Sequence, residues 1–145
     1  MEQNVGIWVD HRRAVLVSFV AGGEEMVQSV ESDMDKQPPH ETGGSKGHPG
    51  GQQSIVSEEN RERHFEQHMK TYYREIEARL NNAAGIYIFG PGEARKELKK
   101  HLERNHSLAD KIQKVEPADK MLDKEIVRQA RNYFHPGKAN AVNRP

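Results

Sequence analysis

The sequence predicts an α/β fold, a mixed five-stranded sheet with helices on its faces, and three observations predict it. Three short β-strand signals separated by turn residues open the chain, the second rich in β-branched residues. A glycine- and proline-rich stretch then gives way to a long helix with one apolar stripe. Two further strand–helix pairs complete the order βββαβαβα.

The elements follow in order. Val5-Gly6-Ile7-Trp8-Val9 is apolar, Asp10-His11-Arg12-Arg13 is a polar turn, and Ala14 to Val20 returns as a second strand. Gly22-Gly23 turns the chain into a third run, Glu24 to Val30, where Met26, Gln28 and Val30 would share one face. Strands spaced so closely imply an antiparallel meander. Residues 31–56 hold Pro38-Pro39, Gly43-Gly44, Gly47, Pro49 and Gly50-Gly51 and almost no apolar side chain until Ile55, so a mobile loop is expected. Ser57 is positioned to cap a helix whose stripe is Phe65, Met69, Tyr72, Ile76 and Leu80, ending at Asn81-Asn82. Gly85 to Phe89 reads as a buried strand, and Gly90-Pro91-Gly92 turns into a helix on Ala94, Leu98 and Leu102. Ile112 and Val115 mark a last strand. The final helix is expected from about Asp119 to Phe134, on Leu122, Ile126, Ala130 and Phe134. Right-handed crossovers would set the two later strands parallel to the first. This is the order of the ribonuclease H-like architecture. One domain over residues 1–134 is expected, with a flexible tail at 135–145.

Composition narrows the function classes. The chain of 145 residues has no cysteine, so disulfides, thiolate metal sites and a cysteine nucleophile are excluded together. Apolar runs reach about seven residues, short of the roughly 20 a membrane helix needs. The N-terminal Met1-Glu2-Gln3-Asn4 is unlike a signal peptide, so a cytoplasmic protein away from membranes is expected. Net charge is zero but unevenly spread: residues 1–60 carry four basic side chains against ten carboxylates, and the remainder holds the other 18 basic and 12 acidic ones. A basic C-terminal half would suit RNA phosphates, and mixed-charge solvated helices are the plainer explanation.

Few residues carry evident chemistry. Asp10 ends the first strand, where a two-metal nuclease would need one of several convergent carboxylates, but Gly90-Pro91-Gly92 after the fourth strand supplies none. Asp10 is therefore read as a turn residue. His64 and His68 lie one turn apart but lack a third ligand, and they are read as a solvent-facing pair. Gly90-Pro91-Gly92 fits a tight strand-to-helix turn and lacks the lysine of a phosphate loop. Arg95, Lys96, Lys99, Lys100 and Arg104 make the second long helix the densest basic surface. Glu93, Glu97 and Glu103 interrupt it, so an RNA-facing patch and a solvated face both stand. Gly50-Gly51 permits close backbone approach, and the Gln52 amide both donates and accepts, so it can orient a water or meet a developing oxyanion.

The stretch Lys46-Gly47-His48-Pro49-Gly50-Gly51-Gln52-Gln53-Ser54, followed by a helix with Tyr72-Tyr73, resembles the middle domain of the eukaryotic and archaeal class-1 peptide release factors. Ala84 to Gly92 and Glu97-Leu98-Lys99-Lys100-His101-Leu102 resemble that domain's buried strand and following helix. Ile7-Trp8-Val9-Asp10-His11-Arg12 is similar to stand-alone bacterial relatives described as translational machinery proteins. Pro49 stands where the family has a basic residue, and Gln53 separates the glutamine from the usual serine.

The resemblance implies a ribosome-associated translation factor whose partners are the ribosome, its RNA and peptidyl-tRNA, with no DNA. Gly50, Gly51 and Gln52 would be catalytic in peptidyl-tRNA hydrolysis, and Lys46, Arg95, Lys96, Lys99, Lys100 and Arg104 would contact RNA. No counterpart of the codon-reading or GTPase-partner domains is seen, so release would be codon-independent, as in ribosome rescue. No cofactor or metal is expected. The alternative is a non-catalytic RNA- or ribosome-binding module, with a metal-dependent nuclease third.

Overall fold

The computed structural model describes residues 2–20, 23–32 and 57–135. Strands β1 (Gln3–Val9), β2 (Arg13–Val20) and β3 (Glu25–Glu31) form the meander. Helix α1 (Ser57–Ala78) leads to β4 (Ala83–Gly90) and then to α2 (Ala94–Glu103). A single-turn α3 (His106–Ala109), β5 (Ile112–Pro117) and α4 (Asp123–Phe134) complete the chain. The sheet order is β3-β2-β1-β4-β5. β1 pairs antiparallel with β2 and parallel with β4, β2 pairs antiparallel with β3, and β4 pairs parallel with β5. This is the mixed five-stranded sheet that the element order predicts.

Strand alternation divides the core in two. Val5, Ile7 and Val9 of β1, Ala14 and Leu16 of β2, and Ile86 and Ile88 of β4 pack under α1 and α2. Trp8, Val15, Val17, Phe19, Tyr87 and Phe89 point the other way, onto Ile126 and Ala130 of α4. β1 and β4 are therefore buried on both faces, which is why they read as continuous apolar runs. Gly6 belongs to the α4 side, where a Cβ would stand 2.6 Å from the Ala130 Cβ, so its missing side chain lets α4 approach.

The edges depart from simple alternation. Ile112 and Val115 of β5 are three residues apart, which in a regular strand sends them to opposite faces. The register instead runs Ile86↔Ile112 and then Tyr87↔Lys114, and the extra residue Gln113 is a bulge that returns Val115 to the α1–α2 core. In β3 only Val30 is buried, whereas Met26 and Val27 are about half exposed on this edge strand.

Some boundaries and one short element differ from expectation. The last helix begins at Asp123, four residues after Asp119. The intervening segment is drawn across the C-terminal ends of β4 and β1, where the Ala118 N–H bonds the Gly90 carbonyl and the Asp119 carbonyl accepts the Trp8 indole N–H at 3.1 Å. Leu122 accordingly precedes the helix and is exposed, and the Glu125 carboxylate accepts its N–H at 3.0 Å. The short α3 had no apolar periodicity to announce it. It is set by Asn105, whose Oδ1 accepts the Ser107 N–H, and by buried Leu108. β3 extends to Glu31 and Ser32 is described, so the described chain overlaps the start of the loop expected at 31–56.

Candidate functional site

The site is assembled where β1 ends, between Ser32 at the end of β3 and the middle of α1. Asp10 closes the β1–β2 turn: its Oδ1 accepts the N–H groups of Arg12 and Arg13 at 2.8 and 2.9 Å. Asp10 is thus a turn residue, as its sequence position suggests. Among the described residues no three His, Asp or Glu side chains gather as a metal site.

Ser32 is tied to this turn. Its N–H bonds the Arg12 carbonyl at 2.9 Å and its hydroxyl donates to the His11 carbonyl at 2.7 Å. The Ser32 carbonyl accepts His68 Nε2 from α1. His64 and His68 are therefore not the solvent-facing pair expected: His64 is exposed, and His68 is turned inward onto the chain leaving β3. Tyr72 of α1 donates to the Asp10 carbonyl at 2.8 Å.

Between α1, α2 and the turn lies a polar cluster centred on Glu97. Its Oε1 accepts His11 Nε2 at 3.0 Å and the Tyr73 hydroxyl at 2.7 Å, and Phe65 meets the His11 ring edge-on at 5.6 Å. Burial holds both Tyr72 and Tyr73 far above the usual phenol range, and the charges of Asp10 and of Glu97 add to it. Both tyrosines therefore act as hydrogen-bond donors. One turn further along, Glu77 of α1 accepts His101 Nε2 at 2.8 Å and the Asn105 amide at 2.6 Å. Burial alone would raise the Glu77 pKa, but these two hydrogen bonds with the charges of His101 and Arg74 outweigh it and the carboxyl sits below its ordinary value. Neither Glu97 nor Glu77 stands out in sequence, since each reads as one more charge on an amphipathic helix. The signal was the spacing: Tyr73 and Glu77 are four apart on one helix, as are Glu97 and His101 on the next.

The basic residues expected on α2 divide. Arg95 turns back and donates to the Gly90 and Gly92 carbonyls, closing the strand-to-helix turn. Gly90 itself is required there, with φ of 148° and a Cβ position 2.3 Å from the Val9 carbonyl oxygen. Lys96 lies 3.9 Å from Glu93, and Lys99 lies 3.5 Å from Glu103. Lys100 and Arg104 are exposed and have no ion pair among the described residues. Lys46, Gly50, Gly51 and Gln52 lie outside the described residues.

The fold is an α/β domain in which the chain leaving β3 is held, at Ser32, against the β1–β2 turn. No family model matches the chain, and no curated protein matches it. Among solved structures it is similar to an archaeal translation termination factor, aRF1, with a TM-score of 0.46 and 14% identity over 97% of this chain. The chain spans 41% of the length of that structure. No described helix is long and apolar enough to cross a membrane.

Proposed function

We propose that this chain is a ribosome-associated translation factor of the release-factor middle-domain type, in which Gly50, Gly51 and Gln52 promote codon-independent hydrolysis of peptidyl-tRNA. The observation that supports the reading is the address of the motif. It occupies the connection between β3 and α1; Ser32, where that connection begins, and Tyr72 of α1 are bonded to the β1–β2 turn, and His68 of α1 is bonded to Ser32. A glycine pair in such a connection permits close backbone approach to a reacting ester. In the reaction a water attacks the ester carbonyl, the carbon–oxygen bond to the tRNA breaks, and the tRNA leaves with its 3′-terminal hydroxyl. The Gln52 amide would orient that water or hydrogen-bond the oxyanion that develops.

The test is peptide release from purified ribosomes that carry peptidyl-tRNA and an empty decoding site. Release is expected with the full chain and falls by about 10²–10³ in Gln52→Ala, the usual cost of one oxyanion-stabilising donor. Binding without any release by the parent chain ends the catalytic reading. It leaves the non-catalytic RNA-binding module, which the exposed Lys100 of α2 and Arg104 at its C-cap favour.

A further inference from the structure

Helices α1 and α2 lie side by side on one face of the sheet, and their register is set by the bonds from Tyr73 to Glu97 and from Glu77 to His101 and Asn105. Helical periodicity then decides what flanks the seam. Lys70 and Arg74 stand on the solvent edge of α1 next to Tyr73 and Glu77, and Lys100 and Arg104 stand on the facing edge of α2. Arg74 acts electrostatically on Glu77, in keeping with that position. All four cations are exposed.

Four of the carboxylates around them are already engaged. Glu97 and Glu77 bind histidine, tyrosine and asparagine partners within the seam, while Glu93 and Glu103 are taken by Lys96 and Lys99. Glu66, a turn before Lys70, makes no ion pair with it. A surface of zero net charge overall therefore leaves Lys70, Arg74, Lys100 and Arg104 without an ion-pair partner among the described residues, in two rows with a spacing of about 6 Å along each helix.

We propose that these four side chains form one strip that binds the phosphodiester backbone of RNA, with one row from each helix. The strip rests on the ribosome-associated reading above and changes its details, since Lys70 and Arg74 join the interface and Arg95, Lys96 and Lys99 leave it. Contacts of this kind go to phosphates, so the strip reads no sequence. A polyanion is favoured over a single phosphate because the charges are arrayed along the seam and do not converge on a point.

The test uses a fluorescently labelled single-stranded RNA oligonucleotide, purified ribosomes and labelled polyglutamate as probes. Arg74→Gln with Lys100→Gln removes one charge from each row. Lys124→Gln with Arg128→Gln removes the same charge from α4, across the sheet. All four side chains are exposed, so both variants should retain the fold, which a circular dichroism melt checks. The seam pair is expected to weaken RNA binding about tenfold at moderate salt and to flatten the slope of log affinity against log salt by about 1.4, with the α4 pair unchanged. Equal losses in both pairs, or binding of polyglutamate as strong as that of RNA, overturn the strip. Undiminished ribosome co-sedimentation and RNA binding by the seam pair overturn the strip while leaving the ribosome reading standing. A parent chain that binds neither probe ends both.

Discussion

Gly6 shows how much one side chain decides. It lies mid-strand in β1, where a Cβ is ordinarily welcome, yet the Ala130 Cβ of α4 occupies the space at 2.6 Å. Gly6→Ala should therefore force α4 outward and destabilise the protein by about 1–3 kcal/mol, a range typical of overpacking. Adding Ala130→Gly should recover much of the loss, and urea unfolding of the two single variants and the double variant measures the coupling. Additivity within error would show that the two residues do not compete for the same space. Trp8, on the same face, ties β1 to the 118–122 segment through its indole N–H, and the Arg13 guanidinium lies 5.1 Å above its ring. The Gly6–Ala130 and Trp8–Asp119 contacts join residues more than 100 positions apart, so no local pattern announces them.

At the scale of elements, α1 and α4 are attached to the sheet in different ways. α4 docks on a compact apolar stripe and adds ionic ties at its rim, where Arg13 meets Asp123 at 2.9 Å and Arg131 forks onto Glu25 at 2.6 and 3.0 Å. α1 has Met69, Tyr72, Tyr73 and Ile76 buried in its C-terminal half and Leu80 buried just beyond its end, whereas residues 61–67 are exposed. Its alignment with α2 depends on Glu77. That carboxyl is held below the unfolded value near 4.5, so the ionised form is the one the fold stabilises. The contribution is present above that pH and is lost as pH falls below it through the folded value. Glu77→Gln should flatten the fall in stability between roughly pH 4.5 and the folded pKa while costing stability at neutral pH. Urea midpoints collected across that interval test it, and parallel pH profiles for parent and variant would show that Glu77 is not the group responsible.

Across the whole molecule, the two apolar clusters share β1 and β4 as a common wall, which predicts one cooperative unfolding unit. Ile88 lies fully buried in β4 between paired strands, and Ile88→Ala should cost about 2–5 kcal/mol, read as a lower urea midpoint with unchanged slope. Amide exchange should be slowest in β1 and β4, and faster in β3, whose Met26 and Val27 are about half exposed. Comparable protection in β3 would show that something covers this edge in solution.

Element types and their order were readable from local chemistry, because β-branched runs, a four-and-three apolar spacing and glycine–proline turns act within a few residues. The doubly buried character of β1 and β4 was readable too, since Val5 to Val9 and Gly85 to Phe89 have almost no polar face. The start of α4 at Asp123, the bulge at Gln113 and the inward turn of His68 were not, because each answers to a partner distant in sequence: Trp8, Ile86 and Ser32. The same holds for the site. Composition and motif alone supplied Gly50-Gly51-Gln52 and a basic helix, as residue types in a neighbourhood. Tertiary structure decided which charges are already taken, since Arg95 is spent on the Gly90 turn and Glu97 on His11 and Tyr73. Local chemistry sets what a segment is, and long-range packing sets which of its groups remain available to a partner.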